Sequence, residues 1–290
     1  MGSGTWEKTS FRSYSASKNM DVSLDGTILG NFSAQEMFKQ RNIASELDPK
    51  NVIRECCDSE EHPHTKPVIL ALDVTGSMGG ASVKVAKELN VIMTELYDKV
   101  QDVEFMIMGI GDLAYDRAPI QASQFESDIR IAEQLDKVYF EGGGGGNSFE
   151  SYTAAWYFGL NHCKLDCWKR GKKGIIITLG DEPLNPYLPA SRLSSVTGDK
   201  LQGDVETGYL YREVSQQYDV YHLAIADRET SYRTYADKIK ASFGKYLDEN
   251  HLKIVNMDSL ASAIVGIVAN SEETVSAGTI HTDENGAISW

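Results

Sequence analysis

Residues 68–78 read VILALDVTGSM. An unbroken apolar run ends on Asp73, and hydroxyls follow on Thr75 and Ser77. A strand that is apolar at every position is covered on both faces, the mark of a parallel sheet held between helices. Sheets of that kind bind ligands beyond the carboxyl ends of their strands, which is where Asp73, Thr75 and Ser77 would stand. Oxygen-bearing side chains at alternate positions suit a hard cation, provided later parts of the chain complete the cage.

The rest of the chain from residue 67 keeps the same rhythm. PVILALD (67–73) is followed by Ser82 to Val100, where Ala86, Leu89, Met93, Leu96 and Val100 recur at helical spacing and Ser82 is placed to cap. VEFMIMGIGD (103–112) predicts a second buried strand, and 123–137 predicts a helix with Phe125, Ile129, Ala132 and Leu135 on one side. A glycine run then leads into a helix from about Glu150 to Lys164. GIIITLG (174–180) and DVYHLAIAD (219–227) predict two more buried strands. Between them, 181–204 is polar and rich in Pro, Gly and Ser, a functional loop or lid by its length. A helix near 232–243, a short peripheral strand LKIVN (252–256) and a helix DSLASAIVGIVAN (258–270), capped by its Asp or Ser, complete the pattern. Alternation of this kind predicts an α/β fold, a Rossmann-like three-layer sandwich with a mostly parallel sheet and helices on both faces.

Residues 1–66 lack that rhythm. They are rich in Ser, Asn and aromatics, with one helical candidate at 33–47 stopped by Pro49, and read as an extension packed on the core. The domain proper is 67–270, and 271–290 is a polar tail whose Asn285–Gly286 step can turn a small hairpin.

Composition narrows the partners. With 42 Asp and Glu against 28 Lys and Arg, the formal charge is −14, which disfavours nucleic acid as the main partner. No stretch approaches the roughly 20 apolar residues of a membrane span, and the N-terminus lacks the basic start and apolar core of a secretory signal. The four cysteines, Cys56, Cys57, Cys163 and Cys167, do not make a disulfide framework. The expected setting is the reducing cytoplasm, with no membrane attachment.

Three features converge on one edge of the expected sheet: Asp73, Thr75 and Ser77; the run EGGGGGNSFESY (141–152); and LGDEP (179–183), with Asp181 just past a buried strand. In that order they resemble the von Willebrand factor A domain and its metal-ion-dependent adhesion site, built on Asp-x-Ser/Thr-x-Ser plus groups from two later loops. The resemblance covers about 67–270 and is closest to intracellular bacterial or phage members. It implies Thr75 and Ser77 as hydroxyl ligands, with Asp73 and Asp181 holding bound water. The common family form has a ligand Thr directly after the glycines, where this chain has Asn147. Similarity to integrin β-subunit and hemicentin-like variants makes Glu150 the ligand and Asn147 a second-shell or alternative group. Mg²⁺ is the implied ion, with Mn²⁺ or Ca²⁺ able to use the same oxygens. The family's use of the site implies a non-enzymatic protein-binding module, an adaptor or scaffold. The partner would supply an acidic side chain to the metal, and in bacteria such partners include MoxR-type AAA+ ATPases.

Other readings compete at each position. Asp73, Thr75 and Ser77 would also suit a capped strand-to-helix turn, and Glu150 a first-turn acid facing a helix dipole. Asp112 and Asp116 border the region as loop carboxylates. Cys56, Cys57, His62 and His64 make a poor zinc set, because adjacent cysteines chelate one tetrahedral ion badly. The tyrosines and Trp156 read as packing. A metal-dependent hydrolase or phosphotransferase is the alternative function. LDVTGS partly matches an Asp-x-Asp-x-Thr phosphatase loop, but Thr75 stands where that loop needs a general acid. A structural assembly subunit with an unused metal site is the third.

Overall fold

Alternate residues of the long apolar strands face two different cores. The structure, a computed structural model, describes residues 4–141 and 148–271. Its central sheet contains β1 (Lys66–Asp73), β2 (Val103–Ile110), β3 (Ile120–Ala122), β4 (Gly174–Gly180), β5 (Tyr218–Ile225) and β6 (Leu252–Val255), in the spatial order β3-β2-β1-β4-β5-β6. Neighbours run parallel except β3, which is antiparallel to β2. In β1, Val68, Leu70 and Leu72 join one core while Ile69 and Ala71 join the other. This is the period-two geometry of a strand covered on both sides.

The first core is closed by α1 (Lys8–Ser17), α2 (Gly79–Lys99), α3 (Arg130–Leu135) and α8 (Leu260–Asn270). The second is closed by α4 (Thr153–His162), α5 (Ala190–Thr197), α6 (Thr207–Val214) and α7 (Tyr232–Phe243). The result is the expected three-layer α/β sandwich. Successive strands step one way from β1 to β3 and then the other way from β4 to β6. The direction changes between β1 and β4, and in open sheets that switch point is where ligands bind.

Several local expectations give way to tertiary packing. The helix expected over 123–137 is confined to Arg130–Leu135, because Phe105 and Glu126 exchange backbone hydrogen bonds and keep the preceding segment extended. Phe125 accordingly points into the second core while Ile131 and Leu135 enter the first. Helix α2 begins at Gly79, so Ser82 is not a cap; it is buried within the helix and its hydroxyl donates to the Asp73 carbonyl at 3.4 Å. Ser259 stands at the N-cap position of α8 as expected but makes no side-chain cap bond there; Asn256 instead forms a capping box with Ser259 around the turn Met257–Ser259. The polar stretch 181–204 is not a bare loop, since it carries α5 and half of a short ribbon pairing Tyr187–Leu188 with Val205–Glu206.

A second ribbon pairs Arg54–Cys56 with Cys163–Leu165, and Cys163 and Cys167 are both buried. The 33–47 candidate is helical only at Ala34–Met37 and in a 3₁₀ turn at Ser45–Leu47, and α1 lies earlier than any expected helix. Trp6, Phe11, Met37, Phe38 and Leu47 are buried in the first core together with β1 and β2 residues. The tail hairpin at Asn285–Gly286 lies outside the described residues. Phe11 is 1% exposed, so Phe11→Ala should cost about 3–5 kcal/mol. At about 2–4 °C per kcal/mol for a domain of this size, calorimetry should show a melting temperature lower by roughly 10 °C; an unchanged value would mean that α1 does not contribute to the core.

Candidate metal centre

Strand geometry delivers the first carboxylate. Asp73 is the last residue of β1, in register with Ile110 of β2 and one residue past the pairing of β1 with β4, and is fully buried. Its Oδ1 accepts from the Thr75 backbone N–H at 2.9 Å and from the Thr75 hydroxyl at 2.5 Å. The side chain thus closes its own turn. Ser77 lies in the 3₁₀ turn Gly76–Met78 that leads into α2 and is partly exposed.

The second and third loops are zipped to each other beside it. Glu150 donates its N–H to the Pro183 carbonyl at 3.3 Å and pairs with Leu184 as an isolated parallel bridge. Tyr152 reaches from the second loop to both neighbours. Its hydroxyl donates to Asp73 Oδ2 at 2.8 Å and accepts from the Glu182 N–H at 3.3 Å. That passage needs a bare backbone at the end of β4, because a Cβ on Gly180 would meet the Tyr152 oxygen at 2.0 Å. Beneath, the Tyr152 ring packs on His222 and Phe243 with centroids 5.0 and 5.9 Å away. Asp181, also fully buried, accepts through Oδ2 from the Ser231 N–H at 2.6 Å.

Five of the six sequence candidates are therefore placed around the switch point: Asp73, Thr75, Ser77, Glu150 and Asp181. Asn147 lies outside the described residues. Tyr152 and Ser231 were not anticipated. In the sequence Tyr152 reads as packing, although its position two residues after Glu150 is a usable signal; for Ser231 the sequence offers none. Asp112 and Asp116 prove buried, and they brace their own loop: Asp112 Oδ1 accepts from the Ala114 N–H at 2.8 Å, and Asp116 Oδ2 from the Asp112 N–H at 2.7 Å. His62 is held by Asp102 at 3.2 Å and by the Gly4 carbonyl at 2.9 Å, so its ring is committed away from the cysteines.

The electrostatics of the centre are one-sided. Burial raises the Asp73 carboxyl well above the usual range, and the neighbouring Asp181 charge adds to the rise. Burial also raises Asp181, against the Ser231 N–H and the Ser77 hydroxyl, which draw it back. Glu150 is raised by burial and then by Asp73, Glu182, Asp116 and Asp112. Glu182 is pushed to about 7 by burial, Asp181 and Asp112, and Asp116 to about 6, again chiefly by burial. The charges that raise Asp73, Glu150 and Glu182 belong to other carboxylates.

Two oxygens show what such a centre lacks. Glu150 Oε2 and Asp181 Oδ1 are buried without a hydrogen-bond partner among the described residues. A buried acceptor left unpaired costs about 1–3 kcal/mol, and a divalent cation with its waters would satisfy both. The donors are all oxygen, as Mg²⁺ requires. Among the described residues no three His, Cys, Asp or Glu side chains stand close enough to hold an ion by themselves. An ion there would have to keep several waters and draw on hydroxyl oxygens such as those of Thr75 and Ser77.

No family model matches the chain, and no curated protein matches it in sequence. Similar solved structures include the pilus adhesin SpaC from Lactobacillus rhamnosus GG in its open conformation, at 10% identity and a TM-score of 0.49. That match covers 78% of this chain and 31% of the adhesin, so the chain spans about a third of that protein. Another is the vWF domain of the type V pili tip protein Mfa5 from Porphyromonas gingivalis, at 11% identity and a TM-score of 0.41, covering 76% of this chain and 97% of that one.

The raised Glu150 carboxyl gives a test of the metal-free state. A carboxyl whose folded pKa lies above its unfolded one binds its proton more tightly when folded, so its contribution is lost as pH rises from the unfolded value through the folded one. In chelator, Glu150→Gln should therefore raise the melting temperature by a few degrees at pH 8 and by less at pH 5, at about 2–4 °C per kcal/mol. Equal curves at both pH values would mean that this carboxylate is well solvated.

Proposed function

We propose that the chain is a non-enzymatic protein-binding module of the von Willebrand factor A kind, whose binding depends on a divalent cation, Mg²⁺ foremost. One observation carries the reading. Three loops far apart in sequence bring Asp73, Glu150 and Asp181 to the sheet's switch point, where two buried carboxylate oxygens have no hydrogen-bond partner among the described residues. Unneutralised carboxylates in that number destabilise a fold unless something cationic offsets them. The order of the three loops, the DVTGS sequence and the strand-end placement support the same conclusion.

In this reading the Thr75 and Ser77 hydroxyls hold the ion, Asp73 and Asp181 anchor its waters, and Glu150 approaches from the second loop. When bound, the ion supplies a positive charge that can accept an oxygen from outside the chain. The partner is a protein that presents an acidic side chain. Glu150 tempers the attraction, since a direct carboxylate lowers the net charge of the ion. Tyr152 keeps Asp73 oriented, and the Thr75 turn keeps the hydroxyls beside it. No helix among the described residues is long and apolar enough to cross a membrane.

Saturating Mg²⁺ or Mn²⁺ should raise the melting temperature. A ligand at about 100 times its Kd adds about 2.7 kcal/mol, or roughly 5–10 °C here. Asp73→Ala and Asp181→Ala should each remove that response while remaining folded by circular dichroism. A full metal response in both variants overturns the site.

Partner capture tests the other half of the reading. Acidic proteins retained by the immobilised chain in Mg²⁺ should elute with chelator, and none should be retained by Asp73→Ala. Retention that is indifferent to chelator would place binding elsewhere on the molecule.

A further inference from the structure

The segment at 33–44 lies before the strand–helix rhythm begins, yet it touches the frame of the candidate metal loops at several points. Ser33 and Glu36 form a capping box that starts the turn Ala34–Met37, and Phe38 then leaves it in extended conformation, 2% exposed. The Phe38 ring stacks on Phe140, with centroids 5.8 Å apart and planes 15° from parallel. Phe140 in turn packs on Gly79, two residues after Ser77. A Cβ at Gly79 would sit 3.2 Å from the Ala34 Cβ and 3.7 Å from the Phe140 ring. The residue after Phe140 is bonded straight into the metal motif, because the Glu141 N–H donates to the Val74 carbonyl at 3.1 Å.

The contact continues sideways. Glu141 Oε1 accepts the N–H groups of Arg117 and Ala118, and the Arg117 guanidinium donates to Asn42 Oδ1 at 3.0 Å. Segment 33–44 therefore bears on the start of α2, on the irregular segment leading into the second loop, and on the loop after β2. All three border Asp73, Thr75 and Ser77, and no residue of the segment reaches those side chains directly in any hydrogen bond described. A group acting this way changes affinity through the residues it holds in place, as outer supports of metal sites do.

We infer that residues 33–44 are a positioning element of the metal centre, and that Phe38, through Phe140 and Glu141, sets the geometry of the Asp73–Ser77 turn. This rests on the metal-dependent reading above. It adds to that reading a residue outside the strand–helix core on which the ion's affinity depends. The stack transmits position because a close-packed core does not deform continuously. Withdrawing the ring frees Phe140, and with it the amide that pins Val74.

The test compares two equally conservative core changes in the full chain, Phe38→Leu and Phe11→Leu, and measures Mn²⁺ affinity by titration calorimetry alongside the metal-free melting temperature. Phe11 lies in the same core and the same N-terminal region, with no described contact to the metal loops. The expected result is a similar small loss of metal-free stability in both, but Mn²⁺ binding roughly tenfold weaker in Phe38→Leu alone. Phe38→Tyr, which keeps the stacked ring, should restore wild-type affinity. Wild-type affinity in Phe38→Leu, or equal weakening in both leucine variants, overturns the positioning role while leaving the metal site standing. A wild-type chain that takes up no Mn²⁺ overturns both.

Discussion

The constraint on which the rest of the structure depends is the burial of carboxylates at the one edge of the sheet where strand order reverses. A parallel strand covered on both faces has nowhere to put a charged residue except at its end, and Asp73 and Asp181 occupy the ends of the two strands that flank the reversal. Helices on both sides then seal that edge. Glu150 arrives on a loop zipped to the one carrying Asp181, so the three carboxyls share a buried region in which Asp181 raises Asp73, and Asp73 raises Glu150. Packing and charge thus pull in opposite directions, and the raised carboxyl groups record the tension.

The chain manages part of that tension with its own hydrogen bonds. Asp73 spends one oxygen on Thr75 and the other on Tyr152, and Asp181 spends one on Ser231. These bonds orient the carboxylates and limit how far each is raised. They leave Glu150 Oε2 and Asp181 Oδ1 without a hydrogen-bond partner among the described residues. Polar networks that are incomplete in this way are costly in a core, which is why the gap argues for a ligand more than the number of acids does.

How much of this was legible in the sequence depended on how local each signal was. The strand Gly174–Gly180 and the helix Tyr232–Phe243 stand where their apolar patterns put them, because continuous burial and helical spacing are written into consecutive residues. The helix expected over 123–137 failed for a non-local reason. Phe125 falls at helical spacing from Ile129, yet the backbone beside it is held extended by pairing with β2, and the ring serves the opposite core. The 33–47 candidate failed in the same way, because Phe38 is drawn into an aromatic stack instead of continuing the turn. At the site, the oxygen-bearing side chains of the three loops could be read from spacing and strand ends. Ser231 and the role of Tyr152 could not, since only the fold brings them to Asp181 and Asp73.

The phenol that crosses the end of β4 also acts as a filter on variation. Because a Cβ there would overlap the Tyr152 phenol, residue 180 has room for hydrogen and nothing larger. Any chain descended from this one that keeps the tyrosine is held to glycine there, whatever else drifts nearby. A side chain appearing at 180 would therefore signal that the aromatic strut had already been lost, and with it one of the two grips on the first carboxylate.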